Sequence, residues 1–410
     1  MTEATATQSG ILPAGAQRPA ADCQDRLWDV IVVGAGPAGG LAALRLAAAG
    51  ARVLQLERAE LPREKVCGDA LLPDALTILE RNGCAEILKA GRPLTALAVY
   101  SPAGRRVEFP CRAVTLRRQE FDARLAAAAR AAGAELARGE ALACGYDAAG
   151  LPYLTCRDGS RLRGRFLLLA CGAAPTPLLR PVLPARRTPD ALALRCYLHS
   201  ALPLDELIVS YHRSVLPGYG WIFPLGDGLF NVGCGRFAVR GSLRGLRRAF
   251  ATFLEGFAPA RELVAQSRER GPLRGAPLRT TPLAVPPWDG RRVLVAGEAL
   301  GTTLPWTGEG VGKALACGEL AAGQLLDALA AGAPAPLAGY RERLLATVIA
   351  HHDGYRHAQD WLSRPWRAEL LAWRAAHSPR LRGMLADLLA GTTAPPAVFT
   401  TAALLRSMWS

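Results

Sequence analysis

Six residues, Gly34-Ala35-Gly36-Pro37-Ala38-Gly39, restrict what this chain can fold into more than any other stretch. They follow a short β-rich run, Leu27 to Val33, and precede Leu41 to Ala49, which is rich in alanine and leucine and meets no breaker before Gly50. This order reads as strand, glycine turn, helix. Ala51 to Glu57 (ARVLQLE) is a second apolar strand, so the segment closes into a βαβ unit on a parallel sheet. In such a GxGxxG turn the first glycine permits a tight bend, the second lets the backbone approach a pyrophosphate and the third allows close helix packing. The helix N-terminus then faces the negative charge. Gly34, Gly36, Pro37, Ala38 and Gly39 are therefore expected against a dinucleotide, with Glu57, eighteen residues beyond Gly39, accepting hydrogen bonds from ribose hydroxyls and Arg58 beside it.

At 410 residues the chain can hold two or three domains of roughly 100 to 200 residues. No charge-free apolar run reaches about 18 residues, which argues against a membrane span. The first 25 residues lack a basic n-region followed by an apolar core and read as a disordered leader, not a signal peptide. Ten scattered cysteines without a CxxC pair point to reduced thiols and a cytoplasmic location. The formal charge of +14 rests on arginine, since Lys65, Lys89 and Lys313 are the only lysines. That excess attracts an anionic cofactor, an acidic protein or, as a peripheral contact, an anionic membrane face. No basic stripe interleaved with aromatics favours nucleic acid.

The remaining pattern divides the chain further. A hairpin about Pro102-Ala103-Gly104 and several short strands between Asp190 and Phe237 suit an antiparallel sheet. Gln119 to Ala132 reads as a helix, Arg165 to Ala170 and Arg291 to Ala296 as buried strands, and Gly310 to Leu329 as a helix. The expected fold class is α/β: a Rossmann-like parallel sheet from 26–90, 111–180 and 286–332, an antiparallel substrate domain from 91–110 and 181–285, and a helical C-terminal region from 333–410.

GxGxxG alone does not separate FAD from NAD. The later motifs resemble those of the geranylgeranyl reductase family: Leu61 to Ala70 (LPREKVCGDA), Arg118-Gln119-Glu120-Phe121-Asp122, Gly218 to Pro224 (GYGWIFP) with Asn231-Val232-Gly233, and Gly297 to Gly301 (GEALG) with Pro305 and Gly308-Glu309-Gly310. That family belongs with flavin halogenases and aromatic hydroxylases of the p-hydroxybenzoate hydroxylase fold. The resemblance runs from about Asp29 to Leu329 and implies FAD as cofactor. It implies that Arg118 reaches the FAD, that Glu298 contacts a ribityl or ribose hydroxyl, and that Cys67 and Gly68 lie near flavin and substrate. Backbone N–H groups of the loop holding Gly308, Gly310 and Val311 would stabilise negative charge on the reduced flavin. Two positions depart from the family pattern. Cys171 stands where an aspartate tied to FAD is usual, and Glu298 where aspartate is commoner.

For chemistry, Cys67 and Lys65 are candidates, a neighbouring lysine being able to lower a thiol pKa; the plainer alternative is a loop that merely closes over FAD. Lys65 lies close to where halogenases carry their lysine, yet their tryptophan motif is not evident. Trp221 and Phe223 share one face of a strand and could wall a bulky substrate or simply fill a core. Trp306, in the flavin-side loop, is a third candidate, for catalysis as well as for the pocket wall. His351, His352 and His357 lack ligand spacing, so no metal is expected, and no GxSxG supports hydrolysis.

No second GxGxxG is present, so NAD(P)H is expected to visit transiently or a separate reductase to deliver electrons. The lost aspartate, the basic excess and the lack of an evident lipid anchor favour a monooxygenase acting on a bulky aromatic substrate, such as a tryptophan held in an acidic protein. The alternatives are an isoprenoid double-bond reductase and a flavin-binding partner protein without turnover. An acidic partner would meet Arg105, Arg106, Arg117, Arg244, Arg247 and Arg248.

Overall fold

Strand Leu27–Val33 runs through the middle of a sheet and buries Val30, Ile31 and Val32 completely, with helix Pro37–Ala48 packed against it. In the computed structural model, which describes residues 12–13, 15–173, 177–179, 190–237 and 245–389 with 391, 393, 395 and 399, the chain builds two large sheets. The first runs in the order Arg18–Pro19, Glu135–Arg138, Val53–Glu57, Leu27–Val33, Arg161–Leu169, Pro152–Cys156, Ala141–Tyr146. Its first five strands are parallel, and the last two form an antiparallel meander beside Arg161–Leu169. Val293–Val295 pairs in parallel with Leu167 to Leu169, more than 120 residues earlier in the chain.

Helix Pro37–Ala48 crosses helix Val311–Ala330 backbone to backbone. A Cβ on Gly318 would lie 2.1 Å from the Ala38 carbonyl oxygen, so only glycine permits the crossing. Fully buried leucines such as Leu46 and Leu325 line this contact, each contributing about 1.5–3 kcal/mol of burial.

The second sheet runs Ser267–Arg270, Ala191–Ser200, Leu229–Phe237, Gly218–Gly226, Leu207–Ser210, Arg92–Tyr100, Arg106–Thr115, Ala70–Leu71, with Arg274–Leu278 also paired to Ala191–Ser200. Helices Leu246–Gly256 and Ala258–Ala265 cover one face through Phe250, Phe253 and Leu263. Helices His352–Leu362, Pro365–His377 and Pro379–Leu389 form a third layer with Val107, Phe109 and Trp306. No helix among the described residues is long and apolar enough to cross a membrane.

Three boundaries differ from the sequence reading. The stretch read as a leader is folded from Gly15 onward: Arg18–Pro19 adds a parallel edge to the first sheet, and Trp28 Nε1 donates to the Cys23 carbonyl at 3.1 Å. Residues 1–11 and 14 lie outside the described residues. Strand Arg106–Thr115 continues past the expected break at 110, since the ladder opposite Arg92–Tyr100 holds it to Thr115. Leu337, Tyr340 and Leu344 pack into the core of the first sheet, and Tyr340 Oη donates to Val295 O at 3.1 Å, so the helical C-terminal region is shared between two layers.

Candidate active site

The glycine turn is built for close approach. Gly34 has φ +107°, and a Cβ there would sit 2.4 Å from the Ala170 carbonyl oxygen, while one on Gly39 would sit 2.0 Å from the Gly34 oxygen. At Gly36 the nearest atoms are the Nη2 nitrogens of Arg118 and Arg63, both 3.9 Å from where a Cβ would stand. Helix Pro37–Ala48 has no side-chain N-cap. Its uncapped N–H groups and two guanidinium groups therefore converge on one turn, the donor set that a pyrophosphate satisfies. Asp122 holds both cations: Arg118 is bidentate to it at 2.9 Å through Nε and Nη2, and Arg63 Nη1 lies 3.0 Å away. Arg63 also reaches Glu57 at 3.2 Å, and the Glu57 carboxylate accepts from Ala35 N at 3.0 Å and Ala59 N at 3.2 Å. Glu57 is thus fixed at the end of its strand, and Arg58 lines the same groove. The residues present fit FAD.

From this turn a cavity of about 640 Å³ runs toward the second sheet. Gly34, Gly36, Pro37, Ala38, Lys65, Cys67, Gly68, Arg118, Glu298, Gly308, Gly310, Val311, Trp221, Phe223 and Trp306 all border it. Gly39 lies beneath the turn as the helix-packing glycine. Cys171, at the position of the missing aspartate, also borders it, and burial pushes its thiol up to about 12.

Asp69 ties the second sheet to helix Arg118–Ala131. It is 1% exposed, has φ +63°, and its carboxylate accepts from Arg118 N at 3.0 Å, Tyr197 Oη at 2.7 Å and Asn231 Nδ2 at 2.7 Å. Asn231 also donates to Cys67 O at 2.8 Å and accepts from Trp221 Nε1 at 2.9 Å. The loop carrying Cys67 and Gly68 is thereby pinned against the Trp221–Phe223 pair, whose rings stack at 6.3 Å. The expectation of a lysine-activated Cys67 needs correction. Burial raises the thiol, and the main opposing influence is the Arg118 charge rather than Lys65, so Cys67 is a neutral thiol at neutral pH.

The loop holding Trp306, Gly308 and Gly310 is closed by cross-links that sequence reading missed. Tyr219 Oη donates to Thr307 O, Trp306 Nε1 donates to Tyr211 Oη at 2.6 Å, and Trp306 N donates to Gln359 Oε1 at 3.1 Å. The indole N–H is therefore committed to the wall. Behind the loop, Glu309 faces the Asp74 carboxylate, and Lys313 Nζ lies 3.5 Å from Asp74 Oδ2. Glu309 Oε1 is buried without a hydrogen-bond partner. Burial first, and the Asp74 charge second, push the Glu309 carboxyl well above the usual carboxylate range, which favours its protonated form. Gly312 leaves room for Asp74: a Cβ there would overlap the carboxylate at 2.2 Å. Arg63, Asp69 and Glu309 each lie inside a quoted motif, which was the available signal, whereas Asp74 lies outside all of them.

Beyond the loop the cavity becomes apolar, with Leu97, Val107, Phe109, Leu207, Leu371 and Leu385 among its walls. His351 borders it, while His352 bonds Thr280 O at 2.7 Å and His357 bonds Phe399 O at 3.0 Å. Two of the arginines expected to meet an acidic partner are already paired, Arg105 with Glu369 at 3.5 Å and Arg106 with Glu206 at 2.8 Å. Arg117, Arg247 and Arg248 are exposed; Arg244 lies outside the described residues.

Residues 28–159 match the FAD binding domain family. The menaquinone reductase of Mycobacterium tuberculosis is 34% identical over 322 residues, covering 73% of this chain and 76% of that protein. The geranylgeranyl diphosphate reductase of Rhodobacter capsulatus is 28% identical over 353 residues, covering 81% and 85%. Among solved structures, a geranylgeranyl bacteriochlorophyll reductase-like protein of Thermoplasma acidophilum superposes with TM-score 0.72 at 20% identity over 93% of this chain and 96% of that one. The flavin-dependent brominase Bmp2 gives 0.73 at 19% identity over 94% and 100%. The FAD binding domain match, the shared fold and the identity to proteins named as reductases agree: the chain belongs to the geranylgeranyl reductase family of FAD-dependent oxidoreductases.

Proposed function

We propose that the protein reduces a carbon–carbon double bond in a long apolar substrate of isoprenoid type. The observation that carries this reading is the chamber itself, apolar and continuous with the FAD groove. Its walls offer burial to a flexible hydrocarbon chain, whose CH₂ groups each gain roughly 0.8 kcal/mol on leaving water. When bound and reduced by NAD(P)H or a partner reductase, FAD supplies the hydride. Lys65, Arg118 and Arg63 border the groove and balance the cofactor's negative charge. Trp306 and Tyr219, each cross-linked, keep water from the reacting end. Glu309 holds the proton that the second alkene carbon takes, and the ion pair of Asp74 with Lys313 stands behind it to restore that proton. Hydride and proton together saturate the bond, with no oxygen consumed.

The monooxygenase reading is the second one, favoured by the stacked Trp221–Phe223 pair, which suits a flat aromatic ring, including a tryptophan presented by an acidic protein. One experiment separates the two. The FAD-loaded protein is incubated with dithionite or NAD(P)H and a polyprenyl lipid, without and then with oxygen, and products are weighed. A gain of two hydrogens per turnover under anaerobic conditions supports the reductase. No gain on any prenyl lipid, with oxygen atoms added to an aromatic substrate in air, overturns it.

A further inference from the structure

Among the described residues the exposed large apolar side chains are five, and three of them, Trp366, Leu370 and Trp373, belong to one helix, Pro365–His377. They are 61%, 38% and 42% exposed and follow the i, i+4, i+7 spacing that places them in one stripe. The opposite side of the same helix, with Ala368, Leu371 and Ala375, is buried and borders the apolar chamber. The helix is thus apolar on two sides, one facing the chamber and one facing out. Core packing accounts for the first side only.

The outer stripe is edged with positive charge. The Arg367 guanidinium lies 5.2 Å from the centre of the Trp366 ring, and that of Arg374 lies 5.6 Å from the centre of Trp373. Arg364 and Arg380, at either end, are exposed. The one acidic residue of the helix, Glu369, is engaged by Arg105 at 3.5 Å and by Ala103 N at 3.1 Å. Tryptophan with its apolar body and polar N–H suits the headgroup boundary of a bilayer, and arginine beside it reaches the phosphates. A helix of 13 residues, about 20 Å long, is too short to span but long enough to lie in the interface.

We propose that the outer face of helix Pro365–His377 docks on an anionic lipid bilayer. Charge decides the partner: a chain of net charge +14 that rings two tryptophans with guanidinium groups is complementary to an anionic headgroup layer. Docking there sets the wall of the chamber against the membrane, one helix away from the acyl region. The proposal stands on this face and does not depend on which reaction the flavin site performs.

The FAD-loaded full chain is centrifuged with vesicles of equal parts phosphatidylglycerol and phosphatidylcholine, and with phosphatidylcholine vesicles alone. Binding to the anionic vesicles is expected, falling with salt, and the variant Trp366→Gln/Leu370→Gln/Trp373→Gln is expected to bind at least tenfold more weakly with flavin content and circular dichroism unchanged. Brominated lipid should quench the fluorescence of the parent and spare that of a Trp366→Phe/Trp373→Phe variant. Absence of vesicle binding, equal binding by the triple variant, or a concentration-dependent dimer that the triple variant dissolves would overturn the proposal. So would capture of an acidic protein by this face in place of vesicles.

Discussion

Replacing Asp69 with asparagine removes one charge and almost no volume, and it tests whether the link between the second sheet and helix Arg118–Ala131 depends on acceptors alone. In the parent, one oxygen accepts from Arg118 N and the other from Tyr197 Oη and Asn231 Nδ2. Asparagine keeps one oxygen. If that oxygen stays on Arg118 N, the new amide nitrogen faces Tyr197, whose hydroxyl can turn and accept, and Asn231, whose nitrogen cannot. Flipping Asn231 does not help, because its oxygen would then oppose Cys67 O and its nitrogen would oppose Trp221 Nε1. Turning the new amide the other way leaves a donor against Arg118 N. Every arrangement retains a buried polar mismatch, worth about 1–3 kcal/mol. Full loss of three charge-assisted bonds would cost more, but the neutral residue also escapes the desolvation that raises the Asp69 carboxyl. With an unfolding entropy of roughly 2.1 cal/mol/K per residue, the chain has ~0.9 kcal/mol/K, so the midpoint should fall by ~1–3 °C. Differential scanning calorimetry of the FAD-loaded protein, with flavin release followed by fluorescence, reads both stability and cofactor retention. An unchanged midpoint and unchanged retention would refute the acceptor-only network.

Glu309→Gln should lower double-bond reduction by about 10²–10⁴-fold while FAD stays bound, the range typical of a lost general acid. In the parent, rate should fall as pH rises through the elevated Glu309 value, since the protonated form is the useful one; Asp74, Lys313, Tyr219, Tyr355 and Cys111 are the titratable groups around it, and the glutamine variant should lose this limb. Gly312→Ala should displace Asp74 and shift that limb toward lower pH, as seen in a pH–rate profile. Cys67 should resist alkylation at pH 7 and react progressively faster toward alkaline pH, because burial holds it as a thiol; mass spectrometry of the modified peptide checks this. Ala372→Trp, which fills the chamber wall, should raise KM for long prenyl chains more than for short ones, measured across a series of chain lengths.

Much of the first sheet was legible because strand, glycine turn and helix announce themselves locally. The strand predicted from Arg165 runs Arg161–Leu169, and the helix predicted from Gly310 begins at Val311. The hairpin about Pro102-Ala103-Gly104 is present, yet its second strand outruns the prediction because pairing with Arg92–Tyr100, and not propensity, sets its length. Arg18–Pro19 was not legible: two residues carry no periodicity, and only the waiting edge of Glu135–Arg138 makes them a strand. In the site, the glycines and Arg118 could be placed from spacing and resemblance. The Glu309–Asp74–Lys313 arrangement could not, since Asp74 comes from a separate helix and reaches the loop only because Gly312 leaves room. Lys65 was read as the neighbour of Cys67 from sequence adjacency, whereas folding brings Arg118 there.

The pairing of Val293–Val295 with Leu167 to Leu169 also has a kinetic side. During synthesis the edge of Arg161–Leu169 leaves the ribosome 126 residues ahead of its partner, measured from Leu169 to Val295. At ~5–20 residues per second that is roughly 6–25 s in which an apolar strand edge waits unpaired. The intervening chain supplies the strands from Ala191–Ser200 to Arg274–Leu278 of the second sheet in the meantime, and a ribosome stalled near residue 290 would hold a nascent chain whose open edge is a template for pairing with a second copy.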